Sequence, residues 1–123
     1  MADQEIANPP SITVDWIGGN CPVRAEGTIN GKPFYFRARG DHWSLGIGGA
    51  DPCEDAEWEH YAWYGSWPDA GWMTAQEAEA FLRAAAARYA EGLPGGRLDD
   101  DQEKMQAAKA RHRELFGRAA DGI

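Results

Sequence analysis

The side chains able to do chemistry are few and scattered. Cys21, Cys53, His42 and His60 are the thiols and imidazoles of the first half of the chain. None stands in the CxxC, HxxxH or HExxH spacing that brings metal ligands onto one side of a turn or helix. They read as two surface histidines and two partly buried thiols, and no metal or cofactor is expected. A nucleophilic cysteine needs a thiolate held near imidazole by positive charge or a helix N-terminus. Cys21 has Arg24, Arg37 and Arg39 near it in the same predicted sheet, whereas Cys53 stands in an acidic loop that tends to raise its pKa. Neither has a partner fixed by sequence. Gly46-Ile47-Gly48-Gly49 is glycine-rich, but it leads from a strand into an acidic loop rather than a helix, which argues against a phosphate-binding loop. Paired carboxylates are plentiful and lie beside aromatics suited to stacking on a sugar ring. Against this, 123 residues leave little room for a deep cleft. No catalytic signature rises from the sequence.

A second group of residues favours binding. Trp58, Trp63, Trp67 and Trp72 fall within fifteen residues, with Tyr61 and Tyr64 among them. Residues 40–82 contain no Lys or Arg, yet hold Asp41, Asp51, Glu54, Asp55, Glu57, Glu59, Asp69, Glu77 and Glu79. Aromatics supply contact area and carboxylates supply steering, the pairing found in recognition surfaces. The expected partner-binding set is Asp51, Glu54, Asp55, Glu57, Trp58, Glu59, Trp63, Trp67 and Asp69. Trp16 and Trp43 are expected in the core, and Trp67 at the surface. The net charge of −8 opposes contact with phosphates or an anionic membrane. It favours a host protein or ribonucleoprotein with a basic surface. Two cysteines are too few for a disulfide framework. The first residues carry neither a basic stretch nor an apolar run, so no signal peptide is expected and the predicted address is the cytoplasm.

Those residues need elements to position them. Residues 1–11 read as a flexible leader. Residues 12–17 alternate as a strand, with Ile12, Val14 and Trp16 on one side. Residues 23–29 form a strand candidate followed by Asn30-Gly31, which suits a type I′ hairpin. That turn sets Ile29 against Lys32 and Ala25 against Phe36. A second tight turn at Gly40-Asp41 sets Ala38 against Trp43 and Phe34 against Ile47. Both registers bury the same face: Val23, Ala25, Phe34, Phe36, Ala38, Trp43, Leu45 and Ile47. The opposite face holds Arg24, Glu26, Tyr35, Arg37, Arg39, His42 and Ser44, either as an ion-pair layer with the loop acids or as a basic patch. Residues 58–64 suit a further strand, though aromatics occupy both parities. Thr74-Ala75-Gln76-Glu77 matches a capping box. The stripe Ala78, Phe81, Leu82, Ala85, Ala86, Tyr89 has helical spacing, and Gly92 stands where a helix would stop. Residues 93–98 read as a linker, and 99–119 as a C-terminal helix. The predicted fold is α+β: an antiparallel meander of four to five strands, one helix packed on a face, and a second helix at the C-terminus.

The strings Cys21-Pro22-Val23-Arg24-Ala25-Glu26-Gly27, Phe34-Tyr35-Phe36-Arg37-Ala38-Arg39 and Asp41-His42-Trp43 resemble small phage- and prophage-encoded proteins of GC-rich bacteria. So do Trp58-Glu59-His60-Tyr61 and Gly71-Trp72-Met73. The resemblance implies an anti-defence protein, anti-CRISPR inhibitors among them, acting in the bacterial host cell. The first expectation is therefore a non-enzymatic inhibitor or adaptor that engages a basic host surface. The alternative is a small enzyme or carbohydrate-binding module. It requires a concave site of roughly 300 Å³ or more where aromatics meet His42, His60 or a carboxylate. A third reading is a homodimer whose C-terminal helices pair.

Overall fold

A computed structural model of the chain describes residues 9–65 and 69–98. Five strands lie in chain order in one antiparallel sheet: β1 (Ile12–Gly18), β2 (Val23–Ile29), β3 (Lys32–Arg39), β4 (His42–Ile47) and β5 (Trp58–Trp63). A short 3-10 turn (Ala70–Trp72) and one helix, α1 (Ala75–Ala90), follow. The expected second helix at 99–119 lies outside the described residues.

The turns form because their residues tolerate the backbone they need. Asn30 and Gly31 both have positive φ, +51° and +81°, as a type I′ hairpin requires. Gly40 opens the next turn at φ +69°. The resulting registers pair Ala25 with Phe36, Ile29 with Lys32, Ala38 with Trp43 and Phe34 with Ile47, as the hairpin reading predicts. All eight residues expected on the buried face are buried. Phe34, Phe36, Leu45 and Ile47 are at most 2% exposed, and each such side chain contributes about 1.5–3 kcal/mol by leaving water.

β1 departs from its predicted alternation. The pairing slips between Val14 and Trp16, so that Asp15 is an extra residue opposite β2. Such a bulge reverses the sides of every residue beyond it. Ile12 and Val14 still pack on the core, and Ile17 now joins them. Trp16 turns to the opposite face, where it is 45% exposed, and the Arg24 guanidinium carbon lies 5.2 Å from its ring centroid. The expectation of a core Trp16 is thus corrected, because a two-residue period does not carry through a bulge.

The mixed parity of β5 also resolves. Trp58, His60 and Ala62 pair with Ile47, Leu45 and Trp43, on the core side. Glu59, Tyr61 and Trp63 pair with Gly46, Ser44 and His42, on the open side. Both faces of β5 carry aromatics because both faces are used. α1 covers the core side. Thr74 Oγ1 accepts from the Glu77 N–H, and Glu77 accepts from the Thr74 N–H, completing the capping box. Ala78, Leu82, Ala85 and Ala86 are buried against the sheet, and the Phe81 ring stacks on Trp43 at 5.1 Å. Gly92, at φ +78°, ends the helix.

Residues 93–98 then run back along β5. The Tyr61 N–H donates to Gly96 O at 2.9 Å, the Gly96 N–H donates to His60 Nδ1 at 2.8 Å, and the Trp58 indole N–H donates to Leu93 O at 3.0 Å. A bare edge strand invites pairing with other chains, and this strap engages one of its donors. Gly95 makes the approach feasible, since a Cβ there would fall 1.7 Å from Glu59 O.

Candidate functional site

The open face of the sheet is where side chains converge. Three rows cross β3, β4 and β5 in register: Tyr35–Gly46–Glu59, Arg37–Ser44–Tyr61 and Arg39–His42–Trp63. The central strand contributes glycine and serine to two of these rows, so the middle of the face is low. The outer strands contribute long or aromatic side chains, which stand as walls. The loop between β4 and β5 closes one end. It folds directly onto Gly46, where a Cβ would fall 2.1 Å from Pro52 O. The result is a half-open trough of about 460 Å³, lined by Tyr35, Arg37, Arg39, His42, Ser44, Tyr61 and Glu59, with Pro52, Cys53 and Glu54 at the loop end.

Its charges are arranged, not mixed. Arg37 and Arg39 belong to the β3 wall, whereas Glu59 belongs to the β5 wall and Glu54 to the loop. Among the described residues neither the Arg37 nor the Arg39 guanidinium makes a hydrogen bond or ion pair. The ion-pair layer considered from sequence is therefore not formed by the loop acids. Among the described residues Glu59 pairs with Arg97, at 3.7 Å, with the Arg97 side chain 71% exposed. His42 Nδ1 lies 3.2 Å from Asp41 Oδ1, and the Trp63 ring stands edge-on to His42 at 6.4 Å. The packing of the loop, then Glu54 and Asp51, hold the Cys53 thiol above its ordinary range, and Arg37 works the other way. A thiol held so is a weak nucleophile at neutral pH.

The nine residues expected to form one acidic, tryptophan-rich surface are distributed over several places. Glu54 and Glu59 both line the trough. Trp63 shares the open face with them, its indole N–H buried and without a hydrogen bond among the described residues. Asp51 and Asp55 bridge the exposed loop, and Asp51 accepts from the Cys53 N–H at 2.9 Å. Glu57 lies over Gly48 and pairs with Lys32, which holds its carboxyl below the usual range. Trp58 points to the other side of the sheet, stacked on His60 and edge-on to Tyr89. Asp69 precedes the 3-10 turn and bridges to Gly40. Trp67 lies outside the described residues. Trp72, not in the expected set, is 60% exposed.

Of the two histidines named with the aromatic segment, His42 reaches the trough and His60 does not. Burial first, and then Arg88, lower the His60 pKa, and its Nδ1 is already an acceptor for Gly96. Among the described residues no three His, Cys, Asp or Glu side chains converge as a metal site, and no helix is long and apolar enough to cross a membrane. Sequence reasoning placed Tyr35, Arg37, Arg39, His42 and Ser44 on one face and allowed the loop acids to cover it, but did not set Glu59 and Tyr61 in register beside Gly46 and Ser44 or form a concavity there. The available signal was Gly46: a glycine inside a strand marks close approach of another backbone.

Among the described residues, fold and site define a five-stranded antiparallel meander backed by one helix, with a half-open polar trough on the face opposite that helix. Compared with protein families, curated proteins and solved structures, the chain matches none of them.

Proposed function

We propose that this is a ligand-binding protein, and that the ligand occupies the trough on the open face of the sheet. One observation carries the reading. Two arginines with no ion-pair partner among the described residues converge with two tyrosines and a histidine on a concavity of about 460 Å³. Pockets of roughly 300–1,000 Å³ with a few converging polar groups are the usual form of small-molecule sites. The walls stand on strands rather than loops, which keeps them in place before a ligand arrives. This favours the binding-module expectation, with His42 in the site and His60 outside it.

The test is a thermal-shift panel on the full chain, covering sugars, phosphates, carboxylates, amino acids and short peptides, repeated on an Arg37→Ala/Arg39→Ala variant. At least one class should raise the melting temperature of the wild type and fail to do so for the variant. A flat panel, or identical shifts in both proteins, sinks the proposal.

A second reading rests on a different observation. Asp51, Glu54 and Asp55 are exposed and make no ion pair among the described residues. They suit an anti-defence inhibitor that meets a basic host surface, as the phage resemblance implies. Reversing Glu54 and Asp55 to Lys should then abolish salt-sensitive capture of a host partner. Equal capture by both proteins would dismiss it.

A further inference from the structure

We infer that the trough selects a short zwitterionic molecule, with an acid group at the β3 wall and an amine at the β5 wall. This rests on the ligand-binding reading above and names its ligand class.

The charges lead to this. Arg37 and Arg39 stand on the β3 wall, Glu59 on the β5 wall beside its exposed partner Arg97, and Glu54 on the loop at one end, so the lining is bipolar. A dianion would find favourable contacts at the β3 wall and repulsion from Glu59 on β5 and Glu54 at the loop end. A simple cation meets the reverse problem. Only a molecule carrying both signs satisfies both walls, and like charges left facing each other in a half-buried site are costly. The arginines do not close onto Glu59 themselves because β4 lies between the two walls.

The span follows from the sheet. Neighbouring strands are about 4.8 Å apart, so β3 and β5 are separated by about 10 Å, and because Glu59 stands one row of two residues along from Arg37 the diagonal between their positions is about 12 Å. An extended chain covers about 3.3–3.6 Å per residue, which makes that distance close to the length of a tripeptide. Ser44 and Gly46 leave the floor low enough for such a chain to lie across β4. Ser44 supplies a hydroxyl in mid-span, and Tyr35 and Tyr61 supply ring surface on either side. The Arg pair suits a carboxylate through two parallel N–H donors.

The experiment is an NMR titration of the isotope-labelled full chain with triglycine, N-acetyl-triglycine, triglycine amide and inorganic phosphate. Triglycine should perturb amides of residues 42–46 and 59–61. Each blocked form should bind about fivefold or more weakly, the effect of losing one partly screened ion pair. The charge assignment is then tested by crossover. Glu59→Gln should bind triglycine and its N-acetyl form alike while still discriminating against the amide. Arg37→Ala/Arg39→Ala should do the reverse. This pattern of coupling cannot arise from a merely structural role. The inference is overturned if blocked and free peptides bind equally, if no peptide binds, or if phosphate binds in their place. The last outcome leaves the trough a ligand site for plain anions, and so separates failure of this inference from failure of the proposed function.

Discussion

Glycine 46 decides the shape of the site more than any charged residue does. Its missing side chain is what lets the 51–57 loop lie on β4, with Pro52 O where a methyl would otherwise be. Gly46→Ala should cost about 1–3 kcal/mol, the usual cost of overpacking, measured as a lower urea midpoint. It should also open the loop end of the trough and weaken whatever the wild type binds there. Gly31→Ala is the useful contrast. Nothing lies within 4 Å of a Cβ there, but φ is +81°. Its cost should be backbone strain alone, about 1–2 kcal/mol, with the trough untouched. Equal ligand binding by wild type and Gly46→Ala would mean the loop contact does not shape the site. The residues of highest chemical reactivity matter less: Cys53 has its thiolate disfavoured by its surroundings.

At the scale of elements, each strand earns its place by different means. β2, β3 and β4 are specified by two tight turns and one apolar face. β1 is deflected by its bulge, which spares the core one tryptophan and gives Arg24 a ring to lie on. β5 has no turn tying it closely to β4 and is held from outside by the strap at 93–98. α1 is the most autonomous element. Its capping box satisfies end groups that the helix ladder cannot reach. Thr74→Ala should therefore destabilise the protein by about 1 kcal/mol, read from urea unfolding followed by circular dichroism. The sheet registers should persist, since α1 lies on the face opposite the trough, and ligand binding should be unaffected at low denaturant. A loss of binding in that variant would show that helix and open face are coupled.

The whole molecule is tied together at one imidazole. His60 sits on the core side of β5, stacks on Trp58, touches the Trp43 ring and accepts the strap's Gly96 N–H. Burial, and then the charge of Arg88, lower its pKa below the ordinary histidine value of about 6.5. The folded state thus prefers neutral His60. Above about 6.5, where the unfolded histidine is also neutral, its contribution to stability is complete. As pH falls below that value the unfolded chain takes up a proton that the folded chain resists, and stability declines until the folded pKa is reached. Urea midpoints should therefore fall from pH 7.5 to pH 5.5, and a His60→Gln variant should lose much of that slope. An unchanged slope in the variant would assign the pH dependence to other groups.

What the residues determined by themselves is the local part of this fold. Turn chemistry at Asn30-Gly31 and Gly40-Asp41 set both registers, period-two patterning set the buried face, and the Thr74 box set the helix, because each depends on neighbours a few positions apart. The trough was decided elsewhere. It needs Glu59 and Tyr61 brought beside Ser44 and Gly46 by β5, and a loop whose course depends on an absent side chain at Gly46. The sequence concentrated its aromatics and acids in one stretch, but a strand sends successive side chains to opposite faces. Trp58 and Glu59, adjacent in the chain, therefore ended on opposite sides of the sheet, and only the pairing of β5 with β4 settled which side each would take.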